Sequence, residues 1–224
     1  MEPVITVDGL VIVDCRAKLL DFVRYDAYQR YDRDGTRAEP RPDVISPRQL
    51  ALMNSAMRAR SSRKAWAPFL ERRLDELAAV PTDVDLVGDP EARVMDALRL
   101  LERAIGAVCV PWITDMAATK LFFLKRPRLV AISDSYVRSR LRVNAVPGPK
   151  RAIAVAKRVR EVGLGNLAAL GDLSAYASTM RDPAGEAVTL SKARILDILI
   201  WVEEAVQPGR NQFWGARYPV ARLV

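Results

Sequence analysis

Helix-opening signals recur along this chain and constrain its fold more than any other feature. Ser46-Pro47 and Asp89-Pro90 each set a capping side chain directly before a proline. A proline suits the first helical position, where its missing N–H is not needed. Apolar residues then return at helical spacing. Val94, Leu98, Leu101 and Ile105 follow the second signal, and Ile195, Leu196, Leu199, Ile200 and Val202 form one face of a late segment, about Leu190 to Val206. The same spacing predicts a helix from Asp14, as its cap, to about Tyr28, with Leu19, Leu20, Val23 and Ala27 on one face. Further helices are expected from Ser46 to about Arg60, and from about Arg63 to Ala79 with a late start or kink at Pro68. Others are expected over 113–124, from Ser133-Asp134 to about Val143, over 150–161 and over 166–178.

The N-terminus reads differently. Asp8-Gly9 divides two β-branched runs between Val4 and Val13, a strong hairpin signal. Such a ribbon needs something to dock on. Residues 30–45 are crowded with charge and hold Gly35, Pro40 and Pro42, so they read as a loop; Pro81 to Gly88 reads as a linker. The expectation is a mainly α fold: one helical domain over 1–224, with a small β-hairpin within 1–14 and an irregular tail over 207–224.

Composition removes whole classes of chemistry. The 224 residues include no histidine, which excludes imidazole acid–base catalysis, Ser-His-Asp and Cys-His nucleophiles, and histidine-bearing metal sites. Cys15 and Cys109 alone cannot hold zinc or an iron–sulfur cluster. No metal and no cofactor is implied. No run approaches the ~20 apolar residues of a membrane span. The N-terminus shows no secretory signal, and the separated cysteines read as reduced, so the expected location is cytoplasmic.

Charge is unevenly spread. Residues 120–160 hold twelve basic side chains and one acid, a local net charge of +11 within a total of +8. The twelve are Lys120, Lys125, Arg126, Arg128, Arg138, Arg140, Arg142, Lys150, Arg151, Lys157, Arg158 and Arg160. One reading is a nucleic-acid footprint, with Lys125, Arg126, Arg128, Arg138, Arg140, Arg142, Lys150 and Arg151 contacting phosphates of duplex DNA. The other is a set of solvated helix faces, with acids from elsewhere folding back on them. The preference for arginine, 28 against 7 lysines, resembles the proteomes of GC-rich actinobacteria and their phages.

The lone acid of this segment is Asp134, placed to open a helix. It reads as an N-cap whose oxygen accepts backbone N–H groups. The sharper reading is a functional carboxylate that a positive surround keeps ready to stabilise a developing cation.

The run from Ala118 to Val137, with Lys125-Arg126-Pro127 and Ser133-Asp134-Ser135, resembles the helix, proline-containing link and Asp-capped helix of helix-hairpin-helix base-excision DNA glycosylases. The resemblance implies a glycosylase-like helical core over 89–206 and a catalytic role for Asp134, stabilising the sugar cation or orienting the nucleophile. Two departures stand out. The stretch Val108 to Thr114 has no glycine turn to hold a DNA phosphate, and Thr114 stands near where bifunctional members carry their nucleophilic lysine. Lys120 is the second catalytic candidate, although it stands about six residues nearer Asp134 along the chain than that lysine does. The same run, together with Arg194-Ile195-Leu196-Asp197-Ile198-Leu199-Ile200-Trp201, also resembles an uncharacterised actinobacterial protein family.

Other features carry less. Trp112, Trp201 and Trp214 are stacking candidates that more commonly serve as core. Phe122 and Phe123 read as core, Glu203 and Glu204 as solvated, and Asp83 and Asp85 as exposed linker charges. Gly163-Leu164-Gly165 reads as a helix C-cap. The leading functional expectation is a nucleic-acid-binding helical protein with DNA base-excision chemistry at Asp134. The alternative is a non-enzymatic helical interaction protein, or a phage or host-defence factor, in which Asp134 is only a helix cap. Oligomeric state is left open.

Overall fold

Asp8 and Gly9 both take positive φ, 47° and 82°, the backbone that a two-residue hairpin turn requires. They join β1 (Ile5–Val7) and β2 (Leu10–Ile12), which pair antiparallel with Ile5 opposite Ile12 and Val7 opposite Leu10. Ile5, Val7 and Ile12 are fully buried, so the ribbon is docked within the chain. The Asn166 side-chain amide fastens it by donating to the Thr6 carbonyl (2.9 Å) and accepting from the Thr6 N–H (2.8 Å), much as a neighbouring strand would. The computed structural model describes residues 2–25, 28–57, 59 and 61–206. Ala27, Trp214 and the tail over 207–224 lie outside the described residues.

Helix α1 (Cys15–Arg24) follows, but Asp14 sits left-handed (φ 53°) and its side chain caps nothing. The helix ends at Arg24, four residues short of the expected end, because Tyr25 is extended. The expected loop at 30–45 is instead partly helical. A π-helix spans Tyr28–Arg33 and α2 spans Asp34–Arg37. Buried Tyr31 explains it: its ring stacks on Phe123 at 5.8 Å, and its hydroxyl donates to the Lys120 carbonyl. Helix α3 (Pro47–Ala56) opens on a full capping box, with Ser46 Oγ accepting from Gln49 N–H and the Gln49 side chain accepting from Ser46 N–H.

The expected helix over Arg63 to Ala79 is broken. Only α4 (Arg63–Trp66) forms before a 3₁₀ turn containing Pro68; proline removes a donor and clashes with the preceding turn. Residues 70–74 turn at Glu71 (φ 58°) and are bridged at Leu70 to Ile45 and at Arg73 to Val44, before α5 (Asp75–Ala78). In the linker, Asp85 is not a loose surface charge. Its carboxylate accepts from the N–H groups of Val87 and Gly88 and from Arg128. Asp89 does not cap α6 (Glu91–Val108) either; Pro90 holds that position.

Val94, Leu98, Leu101 and Ile105 of α6 all point into the core, as their spacing requires. Helix α7 (Asp115–Phe123) is buried along nearly its whole length, with Phe122 and Phe123 in the core. After the link 124–134 comes α8 (Ser135–Arg140), then α9 (Gly148–Gly165) and α10 (Leu167–Thr179). Helix α9 passes through Gly163 instead of stopping there. A Cβ at that position would lie 2.8 Å from a methyl of Val87, so glycine is needed for close approach, not for a cap. The last helix, α11 (Lys192–Ala205), is buried on most faces and packs against α1, α8, α9 and α10. One connected apolar core runs from Ile5 to Val206. Each fully buried aliphatic side chain there contributes roughly 1.5–3 kcal/mol. The protein is mainly helical with one small N-terminal hairpin. Among the described residues no helix is long and apolar enough to cross a membrane.

Candidate functional site

Helices α1, α3, α7 and α11 and the link before α8 surround one cleft of about 100 Å³, partly open to solvent. Phe22, Tyr25, Ile198 and Trp201 form its walls, and Lys120, Asp134, Arg194 and Asp197 supply its charges. The two separated segments singled out in the sequence, 118–137 and 194–201, thus meet at one place.

The position of Asp134 is built from α7. Thr114 caps that helix by accepting from Ala117 N–H. Buried Asp115, in its first turn, takes the Arg151 guanidinium (Nε to Oδ2 2.9 Å) and the Ser133 hydroxyl (3.2 Å). Thr119 Oγ1 accepts from Ser133 N–H at 3.1 Å. The link is therefore tied to α7 one residue before Asp134. The two oxygens of Asp134 then divide their work. Oδ1 caps α8 by accepting from Tyr136 N–H at 3.0 Å, and Oδ2 faces Lys120 Nζ at 3.3 Å. Lys120, only 2% exposed, also donates to the Met57 carbonyl at 3.1 Å.

A second carboxylate lines the cleft. Asp197 is held by Arg194, whose Nη1 donates to its Oδ2. The rest of the guanidinium is bidentate on Asp32, with Nε to Oδ1 at 2.6 Å and Nη2 to Oδ2 at 2.8 Å. It also lies 5.4 Å from the ring centre of Phe22 and 5.0 Å from that of Phe123, a geometry that suits a planar cation. Burial pushes the Asp197 carboxyl up to about 6; Arg194 opposes the rise and Asp134 adds to it. Asp197 Oδ1 has no hydrogen-bond partner among the described residues.

Among the lining residues Lys120 and Arg194 balance Asp134 and Asp197, and Asp32 behind Arg194 adds a further carboxylate. The cleft does not present the positive potential that would draw an anion inside. Its walls are aromatic, with Trp201 in edge contact with Phe22 at 6.4 Å and tilted against Tyr136 at 6.2 Å. A flat, polar, uncharged group fits this chemistry. Neither cysteine supplies a nucleophile near neutral pH, since burial pushes both thiols up to about 11.

The basic segment is dispersed by the fold. Lys125 is buried and donates to the carbonyls of Glu39 (2.9 Å) and Arg41 (3.0 Å), with burial drawing its pKa down to about 8. Arg126 is buried and donates to the carbonyls of Leu77 and Val80, which it caps at the end of α5, and to that of Pro42. Arg128 pairs with Asp85, Arg140 with Glu204, and Arg151 with Asp115. Arg138, Arg142, Lys150 and Lys157 have no charged partner among the described residues, and the last three are exposed.

Several side chains sit where the pattern did not place them. Glu204 is buried against Arg140, and Glu203 pairs with Lys18 at 2.7 Å, so neither is a solvated charge. Trp112 is 84% exposed at a positive φ of 78°, not core. The pairing of Asp32 with Arg194 leaves no local pattern, because it spans 162 positions. A signal for Asp197 was present in its spacing of three from Arg194, one helical turn apart.

Fold and cleft together define a mainly helical protein with one charge-balanced, aromatic-walled cleft. Residues 17–204 match the family of unknown function DUF6308, and the chain belongs to that family. No curated protein and no solved structure matches it significantly.

Proposed function

We propose that this chain is a nucleic-acid-binding protein whose cleft receives a nucleobase and whose Asp134 supports excision of that base. One observation carries the reading: Asp134 lines an aromatic-walled cleft, with one oxygen tied to its helix and the other set against Lys120. The glycosylase resemblance selects the same residue, with α7, the link and α8 in the place of its helix, turn and Asp-capped helix. In the excision step the bond from the sugar C1′ to the base breaks, and its electron pair leaves with the base. The Asp134 carboxylate stabilises the cationic sugar, water attacks C1′, and one water proton ends on the released base. Lys120 is engaged by Asp134 and the Met57 carbonyl, so it acts as a positioning residue and water is the nucleophile.

Phosphate contact falls to the cations left outside internal pairs. Half-buried Arg138 follows Asp134 by one helical turn, ~6 Å along the axis, and Arg142 and Lys150 are exposed beyond it. The free thiols of Cys15 and Cys109 suit a reducing cytoplasm.

A second reading has its own support. Asp134 makes a cap bond, and Lys125, Arg126, Arg140 and Arg151 are spent on internal partners. That is the pattern of a helical interaction protein with no chemistry. Duplex DNA binding across a salt series separates the two. The nucleic-acid reading expects affinity to fall steeply with salt, and Arg138→Ala and Arg142→Ala to flatten that dependence. Negligible binding at low salt overturns it and leaves the interaction protein.

A further inference from the structure

The function proposed above leaves a buried carboxylate of the cleft unused. Asp197 is 3% exposed and lines the cleft, yet its Oδ1 accepts nothing. A buried acceptor without a partner costs ~1–3 kcal/mol, and more when it is charged. Native structures rarely carry one without a reason. Arg194 makes no bond to Oδ1: Nη1 serves Oδ2, and Nε and Nη2 are on Asp32. Lys120 does not serve it either: two of its N–H groups go to Asp134 and to the Met57 carbonyl. No described residue satisfies Oδ1, so the cleft has an acceptor to offer a ligand that carries a donor.

We propose that Asp197 selects the ligand of the cleft, its Oδ1 accepting a hydrogen bond from an exocyclic amino group on a flat heteroaromatic ring. The ring is required by the walls. Phe22, Tyr25 and Trp201 offer apolar faces that a small aliphatic amine would leave uncovered. An anionic ring is disfavoured because both cations of the cleft are already paired with carboxylates. Identifying the ring as an amino-bearing nucleobase rests on the function proposed above. Lys120, with three N–H groups of which two are used, has one left for an acceptor on the same ring. A carboxylate site built to bind a donor discriminates strongly against a ligand that lacks it, because the buried oxygen is then left bare.

The test compares nucleosides that differ only by that amine: adenosine with purine riboside, guanosine with inosine, and cytidine with its pyrimidin-2-one analogue. Affinities are measured by calorimetric titration of the full chain, with methylammonium as a ring-free control. At least one amino member is expected to bind about tenfold or more tighter than its partner, and methylammonium far more weakly. In Asp197→Asn the amide oxygen stays with Arg194 and its NH₂ faces the cleft, so that preference disappears. Equal binding within every pair overturns the role of Asp197 while leaving a base-binding cleft intact. Methylammonium binding as tightly as the nucleosides overturns the ring. Failure of every nucleoside to bind overturns the nucleobase reading and this inference together. The comparison on the unmodified chain stands even where Asp197→Asn folds poorly.

Discussion

Lys120 and Asp134, one buried on α7 and the other at the head of α8, meet with Nζ 3.3 Å from Oδ2, while Oδ1 of the same carboxylate caps α8. The two roles are separable. Asparagine caps a helix as well as aspartate does but brings no charge. Asp134→Asn therefore keeps the cap and loses the ion pair, whereas Asp134→Ala loses both. Urea unfolding is expected to find the alanine variant less stable than the asparagine variant by about 1 kcal/mol. Equal stabilities would mean that Oδ1 contributes nothing as a cap.

Arg194 holds two buried carboxylates, Asp32 and Asp197, from one guanidinium. Arg194→Met leaves both without a counter-charge, and removing one partner of a buried pair costs ~3–5 kcal/mol. That is a large part of the ~5–15 kcal/mol typical of a domain. Arg194→Lys is expected to rescue little, since a single ammonium cannot reproduce the bidentate contact with Asp32 and still reach Asp197. A loss below ~1 kcal/mol in either variant would contradict a structural role for this cluster.

Burial raises the Asp197 carboxyl from 3.8 to about 6. The folded state therefore holds a proton on this group more tightly than the unfolded chain does. Its contribution to stability is full below the unfolded value and is lost as pH rises through about 6. Between these limits stability should fall with rising pH on account of this group. In Asp197→Asn that component disappears. Denaturant midpoints across this pH window check the point, and an unchanged slope in the variant would contradict it.

Two arginines of the same basic segment should behave in opposite ways. Arg126 is buried on the carbonyls of Leu77, Val80 and Pro42, so Arg126→Ala leaves several acceptors bare and should cost at least ~2 kcal/mol. Arg142 is exposed and unpaired among the described residues, so Arg142→Ala should change stability by under ~0.5 kcal/mol. Thermal melts of the pair check this, and comparable losses would contradict the division between structural and surface cations.

The elements that could be read from the sequence are those whose chemistry is local. Asp8-Gly9 specifies its turn by itself, and Ser46 finds Gln49 three residues on. What could not be read depends on partners far along the chain. Residues 30–37 looked like a polar loop because Asp32 is charged, yet that charge is buried against Arg194. The +11 segment looked like one surface, yet Lys125 and Arg126 turn inward to backbone carbonyls supplied by other segments. A linear pattern equates charge with exposure, and a buried ion pair breaks that equation. The site was half legible for the same reason. Lys120 and Asp134 could be named together, while Asp197 gained meaning only once Arg194 and the cleft were in view.

Release of free base from duplexes carrying damaged or mismatched bases tests the central claim most directly, comparing the unmodified chain with Asp134→Asn at matched folded fraction. Release is expected from at least one duplex of the panel, reduced ~100-fold or more in Asp134→Asn, as loss of one preorganised electrostatic group implies. Release from none of the duplexes, or release unchanged in the variant, would contradict it and leave Asp134 as a helix cap.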